Sequence, residues 1–369
     1  MKFITLKSFF ASISFLSFLG MCTCCSHSPL KSENGILKKL ANAKGKGILF
    51  GHQDDLAYGI GWNGIDGESD VKRVTGDYPA LFGWELGGLE LNHDRNLDSV
   101  PFETIKKLAI KAHQMGGINT FSWHPFSPNK GFSAWAKDSV VVKNIIQGGI
   151  YHQEFLEQLD KVAEFFKGLK DNDGTPIPFI FRPWHEMDGT WFWWGSQACT
   201  ATQFKELFRE TVNYLRHEKG LSLMVVAYSP DKGFNSRESY LTWYAGDDVV
   251  DILGSDNYFD FTKPNGLAEV VQKLHIVIET AKEKNKLAAF TETGCTNVTD
   301  STWFTSKLGV ILNDSLIKKE VSYVMVWRNA STHHFFFPYP NHNAASNALE
   351  FTNDSTILLL NKFNKLKQD

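Results

Sequence analysis

A chain of 369 residues, 43% apolar and 21% charged, has the make-up of a soluble folded protein and not of a disordered one. Its 38 basic and 41 acidic side chains leave a formal charge of −3, which excludes the basic surplus expected of a nucleic-acid binder. Aromatics make up 14% of the residues and include 11 tryptophans, more than a core needs and a first hint of a flat, stacking ligand.

The first residues read as an address. Lys2 and Lys7 precede an uncharged run from Ser8 to Met21, rich in Phe, Leu, Ile and Ser. The run is shorter than the roughly 20 residues a bilayer span takes, and it suits a secretory signal. Its end, Leu19-Gly20-Met21-Cys22 followed by Cys24 and Cys25, resembles a bacterial lipoprotein signal, in which the Cys after the cleavage site receives lipid. Met21 departs from that pattern, where a small residue is expected. Residues 1–25 are therefore expected to be a signal peptide and lipid-attachment segment, with Cys22 modified and Cys24 or Cys25 as alternatives. Ordinary secretion is the other reading. The expected location is the bacterial cell envelope, lipid-anchored in the periplasm or at the outer membrane. Residues 26–34 read as a polar linker and 35–369 as one catalytic domain. Cys199 and Cys295 are isolated and read as free, structural thiols.

Eight short apolar runs follow, alternating with helical stretches. They are Gly47–His52, Tyr78–Glu85, Gly117–His124, Ile177–Glu186, Leu223–Ser229, Val249–Tyr258, Leu287–Glu292 and Val321–Trp327. Each has the near-continuous hydrophobicity of a strand buried on both faces. Amphipathic helices are expected over Pro101–Met115, His152–Leu169, Thr202–Lys219 and Leu267–Lys284, with Pro101 suited to a first turn. Asp171-Asn172-Asp173-Gly174 reads as a turn before strand four, since no Glu follows at the twelfth position of a calcium loop. Eight such alternations without a break in composition predict a single (β/α)₈ TIM barrel, an α/β fold whose active site lies at the C-terminal ends of the strands. Those ends carry His52, Glu85, His124, Glu186, Tyr228, Asp256, Tyr258, Glu292 and Trp327. Asp251 is the exception, a charge lying earlier in its run.

Glu186 ends strand four and Glu292 ends strand seven, on opposite sides of the barrel mouth. Two carboxyls so placed can flank one glycosidic bond, one protonated to donate to the leaving oxygen and one ionised to attack or to activate water. Arg182 is expected on the same side of its strand as Trp184 and near Glu292, which a cation would help to keep ionised, and Tyr258 is expected to donate to the same carboxylate. Trp191, Phe192, Trp193 and Trp194 follow the Glu186 loop. Four aromatics in a loop are expected to supply a sugar-stacking wall, with Trp191 nearest the bond and some of the others packed inward. Trp84, Trp123 and Trp184 read as core.

The motifs Gly51-His52-Gln53-Asp54, Ser122-Trp123-His124, Arg182-Pro183-Trp184-His185-Glu186, Tyr228-Ser229-Pro230, Asp248 to Tyr258 and Thr291-Glu292-Thr293-Gly294 resemble glycoside hydrolase family 26 in order and placement. The resemblance runs from about residue 35 to the C-terminus. It implies a retaining β-1,4-mannanase, with Glu186 as acid/base and Glu292 as nucleophile. It also implies sugar contacts from His124, Arg182, His185, Trp191, Tyr258 and Trp327, with Asp256 a further polar contact. The same family holds β-1,3-xylanases and mixed-linkage glucanases, so the alternatives are those activities or, outside enzymes, a non-catalytic cell-surface glycan-binding protein.

No cofactor or metal is expected. His185-Glu186 lacks the second His of a zinc-protease helix, and His333, His334 and His342 have no carboxylate at ligand spacing. The expected partner is β-mannan as polysaccharide or oligosaccharide, with no nucleic acid and no membrane contact beyond the N-terminal lipid. The chain is expected to act as a monomer. Asn63–Gly76, Ser127–Gly149 and Ser331–Ala345 are long enough to wall the cleft.

Overall fold

A computed structural model describes residues 1–2, 35–129 and 131–366. Cys22, Cys24, Cys25 and the linker lie outside the described residues. The expected barrel is present. Its strands are β1 (Ile48–Gln53), β2 (Leu81–Glu85), β3 (Ile118–Trp123), β4 (Phe179–Pro183), β5 (Met224–Tyr228), β6 in two pieces (Ile252–Leu253 and Asp256–Asn257), β7 (Leu287–Thr293) and β8 (Val321–Val326). All neighbouring pairs run parallel, and β8 pairs with both β7 and β1, closing the sheet on itself.

Side-chain alternation along each strand sorts the apolar residues into two cores. Leu49, Leu81, Ile118, Ile180, Val225, Ile252, Leu287 and Tyr323 fill the barrel interior. Their neighbours Phe50, Phe82, Phe121, Phe181, Val226 and Val324 point outward into the layer covered by the helices. An entry helix, Gly35–Ala43, adds Ile36, Leu37 and Leu40 to the interior cluster and so plugs the end of the barrel opposite the site.

The four helices read from sequence are found at Phe102–Gln114, His152–Lys167, Ala201–Asn213 and Gly266–Glu283. The third starts earlier than expected because Thr200 and Gln203 form a reciprocal capping box. It then loosens into a π-turn over Tyr214–Glu218. Asp171–Gly174 is a turn, with the Asp171 amide donating to Thr175. Asp251 is buried just ahead of β6, where it pairs with Arg216 and accepts the Val226 N–H. Part of the expected outer wall at 331–345 belongs instead to the core, since Phe335, Phe336 and Phe337 are all buried.

One expectation fails in an instructive place. β4 ends at Pro183, three residues before Glu186. Trp184 and Glu186 both have φ of 55°, the left-handed region that a residue with a Cβ enters only at a cost of about 1–3 kcal/mol. The alternation stops there, so Arg182 and Trp184 do not share a side. Arg182 points into the barrel mouth, whereas Trp184 turns outward, donates from Nε1 to Thr211 of the covering helix at 3.0 Å and packs against Trp123.

Candidate active site

Glu186 emerges from this strained turn, its backbone N–H held by the Ser229 carbonyl at the end of β5. The loop that follows is anchored by its own tryptophans. Trp193 Nε1 donates to the Pro125 carbonyl and Trp194 Nε1 to the His185 carbonyl, each at 2.9 Å, while both indole bodies are fully buried. An indole is suited to this because its N–H satisfies a backbone acceptor from inside an apolar layer. Phe192 stacks on Trp194 and is also buried. Three of the four loop aromatics are therefore core, more than the inward packing of some that the sequence suggested. Trp191 alone keeps a partly exposed ring. It folds back over Gly189, where even a Cβ would lie 2.4 Å from the indole, and donates from Nε1 to Glu186 Oε2 at 2.7 Å.

Glu186 keeps part of its surface open, but the protein around it strips away most of its solvent. That desolvation, with the Glu292, Asp256 and Asp231 carboxylates as neighbours, pushes its pKa well above the usual carboxyl range; the Trp191 hydrogen bond opposes the rise only weakly. The shift favours its protonated form.

Glu292 has different company. Arg182 donates through one Nη to Glu292 Oε2, and Tyr258 Oη donates to Oε1 at 2.7 Å. Both contacts were expected from the sequence. Burial would lower the Arg182 pKa, yet Asp256 and Glu292 outweigh it and drive it up, so the guanidinium stays charged. Burial and the Glu292 charge likewise raise the Tyr258 phenol, which remains a donor.

Asp256, expected as a sugar contact, is fully buried behind this group. Its Oδ2 takes the second Arg182 Nη at 2.6 Å and its Oδ1 takes Ser229 Oγ at 2.6 Å. Burial pushes its carboxyl up and Arg182 pulls it down, with burial the larger effect. The break in β6 at Gly254–Ser255 places Asp256 there, opposite Glu292 in register. Arg182 is also buried with its guanidinium engaged by these two carboxylates, so the structure sets both residues behind Glu292 rather than in the open cleft.

A second polar chain crosses from β2 to β4. Glu85 accepts Ser122 Oγ at 2.6 Å, the Gly87 and His124 amides at 2.6 and 2.8 Å, and His124 Nδ1 at 2.8 Å. Burial alone would raise the Glu85 carboxyl, but the charge of His124 beside it, followed by the His124 and Ser122 hydrogen bonds, reverses the sign and brings it to about 2. His124 Nε2 meets His185 Nε2 at 3.1 Å. Burial and the nearby Arg182 hold His185 neutral, well below the usual imidazole range. The chain is satisfied with His124 Nδ1–H donating to Glu85 and one proton held between the two Nε2 atoms.

Trp327, just past β8, faces the His124 ring edge-on with centroids 6.1 Å apart. Two neighbours were missed by sequence reasoning. Trp135 stacks flat on His124 at 5.4 Å and 12°, with half its surface exposed; it sits in the expected wall 127–149, but nothing in its local sequence marks it. Arg328, next to Trp327, pairs with Asp98 at 2.8 Å and borders a cavity of about 370 Å³ lined also by Tyr58, Trp62 and Arg95. His52 and Tyr228, the remaining strand-end residues, are buried in structural bonds, His52 with Asp55 and Tyr228 with the Tyr240 carbonyl. Cys199 and Cys295 are both free.

The family model described as Glycosyl hydrolase family 26 matches residues 27–328. A mannan endo-1,4-beta-mannosidase of Bifidobacterium adolescentis is 34% identical over 80% of this chain, and one of Bacillus subtilis is 29% identical over 73%. The matched region is 31% of the Bifidobacterium protein and 69% of the Bacillus protein. Among solved structures, a GH26 beta-mannanase of Bacteroides ovatus aligns with a TM-score of 0.85 at 41% identity, covering 88% of this chain and 94% of that one. An endo-beta-1,4-mannanase of Cellulomonas fimi aligns with a TM-score of 0.82 at 35% identity, covering 88% and 75%.

Proposed function

The chain belongs to glycosyl hydrolase family 26, and from that premise we propose that it hydrolyses the β-1,4-mannosidic bonds of mannan, glucomannan or galactomannan with retention of configuration. The observation that carries the reading is the unequal treatment of two facing glutamates. Glu186 is desolvated and pushed towards its protonated form, while Glu292 is braced by a guanidinium and a phenol.

In this reading Glu292 attacks the anomeric carbon while Glu186 gives its proton to the departing glycosidic oxygen. A mannosyl ester forms on Glu292 and the shortened chain leaves. Glu186, now a carboxylate, takes a proton from water, whose oxygen displaces Glu292 from the same carbon. Two inversions amount to retention. Because Trp191 Nε1 donates to Oε2, the transferable proton of Glu186 sits on Oε1, and the indole aims it. Arg182 and Asp256 act through Glu292 as positioning residues. His124, His185, Trp191, Tyr258 and Trp327 line the sugar site, and the retained half of the chain passes Trp327 towards the Arg328 cavity.

Soluble mannan should yield reducing ends, and proton NMR of the first product should show the β-anomer. An initial α-anomer would remove retention from the reading. Strong release from lichenan or β-1,3-xylan with none from mannan would transfer the assignment to those substrates, and no release from any would favour the glycan binder.

The export reading rests on sequence. We infer that a cysteine at 22, 24 or 25 is acylated and tethers a monomeric barrel to a bacterial envelope membrane. Each buried acyl CH₂ contributes about 0.8 kcal/mol, so a multiply acylated cysteine is a firm anchor. Among the described residues no helix is long and apolar enough to cross a membrane. Replacing Cys22, Cys24 and Cys25 together should move the protein from the membrane pellet to the soluble fraction; unchanged fractionation would sink the anchor.

A further inference from the structure

A chain lying between Glu186 on the β4 side and Glu292 on β7 must leave the mouth in two directions. One passes over β8, β1 and β2, where Trp327 and the Arg328 cavity lie. The other passes over β5 and β6, beyond Trp191. Trp191, which is bonded to the acid Glu186, lies on the β5–β6 side against Lys232 of the β5 loop, so that rim is taken to meet the leaving portion.

That rim carries Lys232. Its Nζ lies 5.7 Å from the Trp191 ring centre and 4.8 Å from that of Phe259, an exposed ring one residue after Tyr258. Nζ is also bonded to Asp231 Oδ2 at 2.9 Å, and the side chain is 29% exposed. An ammonium has three protons, so one such bond leaves donors to spare. Lys232 thus spans two aromatic rings from neighbouring loops, one of which is bonded to Glu186.

The backbone beneath Lys232 is fixed on both sides. Asp188, two residues after Glu186, accepts the Asp231 amide on Oδ1 at 2.6 Å and the Gly233 amide on Oδ2 at 2.7 Å. A Cβ at Gly233 would lie 2.5 Å from that Oδ2, so only glycine allows the approach. Burial is the main reason the Asp188 carboxyl rises, to about 6, with Asp231 adding to it. The acid's own loop therefore grips the segment that presents the lysine. A solvent-facing lysine kept for solubility needs no such grip.

We propose that Lys232 is a specificity-determining residue on the leaving-group side, donating to hydroxyls of the sugar unit that stacks against Trp191. The proposal rests on Glu186 being the acid. It implies that catalysis on long chains draws on Lys232 more than catalysis on substrates whose leaving group is not a sugar.

The test is the ratio of kcat/KM on mannopentaose to kcat/KM on 4-nitrophenyl β-mannobioside, measured for the parent and for Lys232→Met, which keeps the aliphatic length without the charge. The parent must cleave both, and failure there would count against the mannanase reading rather than against Lys232. In Lys232→Met the ratio should fall about tenfold, the size of effect expected for one charge-assisted hydrogen bond to a neutral partner. A ratio that stays the same, whether both rates fall together or neither moves, would overturn the proposal and leave Lys232 a structural partner of Asp231. A ratio that rises would place the lysine on the retained side and overturn it equally.

Discussion

Glu292→Ala is expected to abolish turnover on mannan and on activated aryl β-mannosides alike, by about 10⁴- to 10⁶-fold, as for loss of other covalent nucleophiles. Glu186→Ala is expected to behave differently. Loss of a general acid should cost about 10²- to 10⁴-fold on mannan, whose sugar leaving group needs the proton. With an activated aryl mannoside the ester on Glu292 should still form, giving a burst of phenol followed by slow hydrolysis. Azide should speed that second step, since a small anion needs no base to attack. Two displacements then give the β-mannosyl azide. In Glu292→Ala azide can only replace the missing carboxylate in one displacement, so any rescued product is the α-azide. NMR of the adducts decides the roles: α-azide from Glu186→Ala and β-azide from Glu292→Ala would mean they are exchanged.

Arg182→Met should be the most damaging single change to stability. It removes the one cation shared by two buried carboxylates, Asp256 and Glu292, and fills the space with an apolar chain of similar length. Breaking a buried pair from one side costs about 3–5 kcal/mol, because the remaining charge is left without a partner. The loss should also depend on pH. Burial already raises the Asp256 carboxyl, and without Arg182 its opposing pull disappears. A group whose pKa is higher folded than unfolded stabilises fully below its unfolded value, near 4, and loses that contribution as pH rises through the folded value. Urea unfolding should therefore show a larger deficit at pH 8 than at pH 5. A deficit below about 1 kcal/mol, or one that shrinks as pH rises, would contradict this account.

Much of this architecture was legible in the residues. The eight strands announce themselves as short apolar runs because a strand buried on both faces has no polar alternation to hide it. Glu186, Glu292, Arg182 and Tyr258 could be grouped in advance because strand ends of a barrel share one rim, and Trp191 could be separated from its neighbours as the ring nearest the bond. What was not legible depends on local backbone form or on loops meeting across the mouth. Trp184 faces outward because of a left-handed φ that no residue type advertises, as a glycine would have done. Asp256 is buried through a break in β6 whose position only the pairing with β7 reveals. The register of β2 on β3, which sets Glu85 opposite Ser122, was enough to match Glu85 to His124, but only once the strand bounds were known. Lys232 and Trp135 come from loops whose contacts no spacing rule reaches.

The left-handed turn at Trp184 has a consequence for how this protein can change over time. Strain at such a position is ordinarily relieved by substituting glycine. Here the same residue fills a large volume among Trp123, Phe155, Trp193 and Trp194, so glycine would relax the backbone and hollow out the packing at one stroke. Smaller apolar residues would keep the strain and still leave a void. The orientation of Glu186 is thus held by a side chain that points away from the barrel mouth, and neither glycine nor a smaller apolar residue at position 184 frees it without hollowing out the packing.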